Sequence, residues 1–104
     1  MDGYASIKET VVRILCEKLP EIRERFGVET IGVFGSVSRG EDTEESDVDI
    51  LFSFREGAVS LDRFLDLAEY LESIFLKKVD LIPEDGIHPR IMQTIQNEVI
   101  WAHA

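Results

Sequence analysis

Residues 30–54 read TIGVFGSVSRGEDTEESDVDILFSF, and the fold turns on how this stretch divides. Thr30-Ile31-Gly32-Val33-Phe34 is a short apolar strand that runs straight into Gly35 and Ser36. A polar, acidic stretch follows, Ser38–Ser46. Asp47–Phe54 is a second strand. Strand alternation sends Val48, Ile50, Phe52 and Phe54 to one face and Asp47, Asp49, Leu51 and Ser53 to the other.

Upstream, Ile7, Val11, Ile14, Leu15, Leu19, Ile22 and Phe26 fall at three- and four-residue steps, the stripe of an amphipathic helix. Pro20 is expected to break or kink it and to open a second short helix, because its missing N–H is harmless in a first turn. Gly27 is the expected stop. Downstream, Arg55–Ser60 is a loop, and Ser60 caps a helix with Leu61, Phe64, Leu65, Ala68, Leu71 and Phe75 on its inner face. Lys77–Ile82 is a third strand, ended by Pro83. His88 caps a last helix, opened by Pro89, with Ile91, Met92, Ile95 and Val99 inward. The order α-β-α-β-α-β-α predicts an α/β (α+β) domain with helices packed on a small sheet.

The chain has 104 residues, the size of a single domain, 1–104. Its 11 basic and 21 acidic residues leave a net charge of −10, which repels polyphosphate. Nucleic acid and anionic membranes are therefore not expected as primary partners. A basic protein or a metal-assisted nucleotide stays open. The single cysteine, Cys16, allows no internal disulfide and no thiolate zinc site. No apolar run approaches the ~18 residues of a membrane span. Residues 1–9 lack a basic-then-apolar signal pattern, so a cytoplasmic location is expected.

Chemistry concentrates in Gly35-Ser36, a ten-residue spacer, then Asp47-Val48-Asp49. Two carboxylates on one face of a strand repel each other unless a cation lies between them. Mg²⁺, which takes oxygen ligands, is the natural occupant. At the end of the first strand, Gly35 permits a tight turn, and free N–H groups with the Ser36 hydroxyl can take a phosphate. Ser36 as a plain helix cap is the simpler alternative, and the two roles are compatible. No Walker loop, GxGxxG or EF-hand spacing is present. Phosphate and metal meet only if the two strands are antiparallel neighbours. Asp80, between Val79 and Leu81, is the candidate third carboxylate; as an alternative it simply faces water on an edge strand. Arg39 can form a surface ion pair with Glu41 or Asp42. Residues Glu41–Glu45 read as a solvated loop.

Val33-Phe34-Gly35-Ser36, Arg39-Gly40 and Ser46-Asp47-Val48-Asp49-Ile50-Leu51 resemble the signature of the DNA polymerase beta-like nucleotidyltransferase superfamily. The whole chain, over about residues 5–101, resembles its smallest members, the minimal nucleotidyltransferase (MNT) domains. Val79-Asp80-Leu81 matches the family's third catalytic aspartate, and Arg90-Ile91 with Asn97-Glu98-Val99 looks like its closing segment. The spacer is more acidic than is usual for the family. The resemblance implies a small mixed sheet of three to four strands flanked by helices. It also implies an antitoxin that transfers AMP from ATP to a tyrosine of a HEPN-domain ribonuclease toxin, as a hetero-oligomer with that toxin. Gly35, Ser36 and Arg39 would then hold the triphosphate. Asp47, Asp49 and Asp80 would hold two Mg²⁺ ions, with Asp80 also taking the acceptor's proton. A non-catalytic antitoxin that occludes the toxin, and a small-molecule nucleotidyltransferase, are the alternatives. Larger nucleotidyltransferases carry a second domain for the acceptor, which is expected to be absent here and replaced by a protein partner.

Overall fold

In the computed structural model, which describes residues 3–104, Lys8–Phe26 forms one helix, α1. Pro20 lies inside it and does not divide it, contrary to the expectation of two helices. Proline at this position removes the N–H that would bond Cys16 and costs about 3 kcal/mol. Beyond it, however, Ile22 and Phe26 are buried against the sheet. Each such burial is worth roughly 1.5–3 kcal/mol, enough to hold the second half of the helix in line. The helix ends at Gly27 in the left-handed conformation.

Strand β1, Val28–Phe34, starts two residues earlier than the apolar run suggested. It leads directly into a five-residue helix, α2, Gly35–Arg39. Strand β2 spans Val48–Phe54, helix α3 spans Leu61–Phe75 and strand β3 spans Val79–Pro83. A single 3₁₀ turn, Glu84–Gly86, and helix α4, Pro89–Ile95, precede a two-residue strand β4, Ile100–Trp101. The caps stand where the composition put them: Ser60 accepts from the Arg63 N–H and His88 from the Arg90 N–H. The expected single domain, 1–104, begins with Met1 and Asp2, which lie outside the described residues.

The sheet order is β3-β2-β1-β4. β1 and β2 are antiparallel neighbours, with Phe34 opposite Asp49. β2 and β3 run parallel through the α3 crossover, with Asp49 opposite Asp80. β4 returns antiparallel to β1, pairing Gly32 with Trp101 and Val33 with Ile100. The sheet is therefore mixed and four-stranded. The fourth strand escapes the three-strand order because two residues carry no period. Gly32 admits it: a Cβ there would lie 2.8 Å from the Ile100 carbonyl oxygen and 2.9 Å from Val99.

One core joins α1, α3 and one face of the sheet: Leu15, Leu19, Ile22, Val33, Ile50, Phe52, Leu67 and Leu71 are all fully buried. On α3 the inner stripe differs from the expected one. Leu61 and Leu65 are exposed, and Leu67 is buried in their place. At 100° per residue Leu65 points about 160° away from Leu67, so both cannot face the sheet. On α4, Ile91 is exposed, and Val99 lies beyond the helix. No helix among the described residues is long and apolar enough to cross a membrane.

Candidate active site

The turn from β1 into α2 is built on Gly35, whose φ of +75° lies where only glycine is at ease. The absence of a side chain matters a second time. A Cβ on Gly35 would lie 3.0 Å from Asp49 Cγ and 3.3 Å from its Cβ, and closer still to Oδ2. The Asp49 carboxylate therefore packs against the turn. Strand pairing brings it there, since Asp49 stands opposite Phe34, the residue before the glycine.

The turn is tied internally by Ser38, whose hydroxyl donates to the Gly35 carbonyl at 2.8 Å. The Glu41 N–H donates to the Ser36 carbonyl at 2.9 Å. Ser36 is half-buried, and Phe34, at the cap position of α2, makes no side-chain cap. The Gly35 N–H is instead taken by Glu98, whose Oε2 accepts it at 2.6 Å. The same oxygen accepts from Arg39 Nη1 at 3.0 Å, while Arg39 Nε donates to Glu41 at 3.0 Å. Arg39 is thus in an ion pair with Glu41, one of the two expected carboxylates, and with Glu98, which was not foreseen.

Asp49 and Asp80 are register partners on neighbouring parallel strands. Asp49 is half-buried; Asp80 and Asp47 are exposed, and Asp47 precedes the first residue of β2. Burial, and next the negative charges of Asp80 and Asp47, push the Asp49 carboxyl up, against the pull of Arg39. All three aspartates are oxygen donors, and their charges converge on Asp49. That donor set suits a hard divalent cation, which would relieve the repulsion. Among the described residues no three acidic, histidine or cysteine side chains stand close enough to form a ready-made cage. The carboxylates lie together where β2 and β3 begin, rather than in a closed metal site.

The spacer between Ser36 and Asp47 is not a freely solvated loop. Asp42 is buried and accepts hydrogen bonds from Tyr4 Oη at 2.6 Å, from the Ser6 hydroxyl and from the Ile7 N–H at 3.2 Å. Lys77 grips the other side of the loop, donating to the carbonyls of Thr43 at 3.3 Å and Glu44 at 3.2 Å. Glu41, Glu44 and Glu45 remain exposed, as expected for a solvated face. Asp42 and Glu98 escape sequence reasoning because their partners lie 35–38 and 59–63 residues away. A hollow of about 550 Å³ opens at the opposite ends of β2 and β3, between Phe54, Leu61, Phe64 and Pro83. It is apolar and lies away from the aspartates.

Residues 15–102 match the family model of the nucleotidyltransferase domain. A protein adenylyltransferase of Thermococcus cleftensis, MntA, is 46% identical over 93 residues, which are 89% of this chain and 93% of that protein. A solved minimal nucleotidyltransferase superposes with a TM-score of 0.75 at 36% identity, over 89% of this chain and 93% of its own. A complex of tri-AMPylated Shewanella oneidensis HEPN toxin with an MNT antitoxin contains a chain that matches at 18% identity. Its TM-score is 0.60, over 86% of this chain and 70% of that one, a likeness of fold alone.

Proposed function

Because the chain belongs to the nucleotidyltransferase domain family, we propose that it is a Mg²⁺-dependent protein adenylyltransferase of the cytoplasm. It transfers AMP from ATP to a tyrosine hydroxyl of a HEPN-domain toxin and so acts as that toxin's antitoxin, in a complex with it. The observation that carries the reading is the in-register pair Asp49 and Asp80 beside a glycine turn that Asp49 itself packs against. The relative named a protein adenylyltransferase supports the acceptor class, and the fold shared with an antitoxin bound to an AMPylated HEPN toxin supports the partner.

In this reading Gly35, Ser36 and Arg39 receive the triphosphate, and Asp47, Asp49 and Asp80 would close around the metal when it binds. Bound there, Mg²⁺ would supply charge to offset that of the phosphates and would favour ionisation of the acceptor hydroxyl. Asp80, exposed on the edge strand, faces an incoming acceptor and takes its proton. The tyrosine oxygen then forms a bond to the α-phosphorus, the bond from that phosphorus to the β-phosphate's bridging oxygen breaks, and diphosphate leaves. Asp49, sheltered against the Gly35 turn, would be the least mobile of the three carboxylates that hold the metal.

The test uses ATP labelled on its α-phosphate, Mg²⁺ and a lysate of the source cells. Label on a single protein, lost with the Asp47→Ala, Asp49→Ala variant, is the expected result. Absence of label while both proteins pull down the same partner would refute transfer and leave neutralisation by occlusion. Label on a small molecule without any protein acceptor would move the activity to small-molecule nucleotidyl transfer.

A further inference from the structure

Glu98 arrives at the catalytic edge from the far end of the chain. We propose that Glu98 is a positioning residue for the nucleotide's phosphates: one carboxylate oxygen holds both the Gly35 N–H and the Arg39 guanidinium, and so sets the turn and the cation that receive the triphosphate. The proposal rests on the transferase reading of this edge.

Three observations carry it. First, α2 has no side-chain cap of its own, and its Gly35 N–H is satisfied by a residue 63 positions away. Second, the bonds at 2.6 and 3.0 Å both end on Oε2, and both are assisted by the carboxylate's charge. Arg39 is thereby held by Glu98 on one side and Glu41 on the other. A guanidinium whose planar fork is pinned twice loses little further freedom when it meets an anion. The Glu98 side chain is sheltered, 21% exposed, while that of Arg39 stays open to an incoming anion at 44%.

Third, the chain around Glu98 is arranged to deliver it. The N–H groups of Glu98 and Val99 donate to the Ile95 carbonyl at 2.9 and 3.1 Å, closing the end of α4. Ile100 and Trp101 then pair with Val33 and Gly32, two and three residues before the turn. Gly32 lets Val99 and Ile100 approach where a Cβ would collide. A strand of two residues adds little pairing of its own. What it does is lock the backbone next to Glu98 onto the strand that ends at Gly35.

The readout is steady-state transfer of AMP, with nucleotide affinity measured separately by calorimetry on ATP and Mg²⁺. Loss of the Glu98 carboxylate is expected to raise the KM for ATP roughly tenfold in Glu98→Ala. The kcat is expected to stay within about threefold, because Glu98 touches neither metal ligand nor acceptor. Glu98→Gln is expected to recover part of the loss, since its amide oxygen still accepts from Gly35 but lacks the charge that pins Arg39. In a cycle with Arg39→Ala, the two effects should be less than additive. If Glu98→Ala does not fold, Glu98→Gln alone decides, with a KM raised several-fold.

An unchanged KM, or equal falls in kcat and stability without a KM effect, would reduce Glu98 to a structural tie and overturn the proposal. A lowered KM would show that the carboxylate competes with phosphate, which also overturns it. Wild-type protein that binds ATP without transferring AMP would refute the transferase reading, while the affinity comparison still tests Glu98. No nucleotide binding at all would refute both.

Discussion

Placing a methyl group on Gly35 separates two demands that the turn makes on its sequence. The first is backbone: a non-glycine residue at φ +75° costs about 1–2 kcal/mol. The second is space: the new Cβ would lie 3.0 Å from Asp49 Cγ and nearer to Oδ2, so the carboxylate must rotate away or the strands must part. Forcing an extra carbon into a packed contact typically costs a further 1–3 kcal/mol or so. Gly40 provides the reference, because its φ is +71° but the nearest atom to an added Cβ is Lys8 Cδ at 3.9 Å. Gly40→Ala should therefore lose about 1–2 kcal/mol, and Gly35→Ala about 2–5 kcal/mol. In a domain of this size each kcal/mol lowers the melting temperature by about 4–8 °C. Urea denaturation followed by circular dichroism reads both differences. The extra loss in Gly35→Ala should vanish in an Asp49→Ala background, where the clashing carboxylate is gone. AMP transfer should fall about a hundredfold in Gly35→Ala, since an ångström of displacement in a positioned group has that scale of effect. If Gly35→Ala proved no less stable than Gly40→Ala and transferred AMP normally, the packing of Asp49 on the turn would be refuted.

Two further outcomes follow from the charges. Asp49→Asn should melt higher than wild type at neutral pH, because the Asp49 carboxyl is pushed up by burial and then by Asp80 and Asp47. A carboxyl raised in the fold destabilises it when ionised. The gap between the two proteins should therefore shrink as pH falls through the raised value, and Mg²⁺ should narrow it at neutral pH by stabilising wild type alone; a thermal scan across pH that shows no gap would contradict this. Asp42→Ala should lose roughly 1–3 kcal/mol at pH 7 in urea. Burial pushes the Asp42 carboxyl up, but the bonds from Ser6, Tyr4 and Ile7 outweigh it and leave it below the usual range. Its contribution is therefore present above pH ~4 and lost as pH falls through the depressed value. The Tyr4 hydroxyl, pushed up to about 12 chiefly by its bond to Asp42, should titrate lower in the same variant, which ultraviolet absorbance would register.

Where the chain's patterns are local, its sequence was a reliable guide. Alternation in residues 47–54 identified β2, and the polarity of Ser60 and His88 identified two helix starts that the structure caps with those side chains. The dipeptide Gly35-Ser36 at the end of an apolar run marked the turn, and the requirement that β1 and β2 be antiparallel neighbours is met by their register. Pro20 shows the limit of a local rule, because the burial of Ile22 and Phe26 outweighs the lost hydrogen bond. Leu61 and Leu65 show another: several apolar residues satisfy a helical stripe, and only the position of the sheet chooses Leu67 instead.

Periodicity and spacing determined the order of β1, β2, α3, β3 and α4, the glycine turn and the identity of Asp47, Asp49 and Asp80 as a set of interest. These are properties of neighbours along the chain, within one turn or one pleat. Tertiary structure alone decided that Asp49 stands opposite Asp80 and against Gly35, that Asp42 anchors the loop to Tyr4 and Ser6, and that Glu98 crosses 63 residues to reach the Gly35 N–H. Those pairings depend on which strand edges meet. That is settled by the burial of the whole core at once, because a single apolar face of the sheet must be covered by α1 and α3 together.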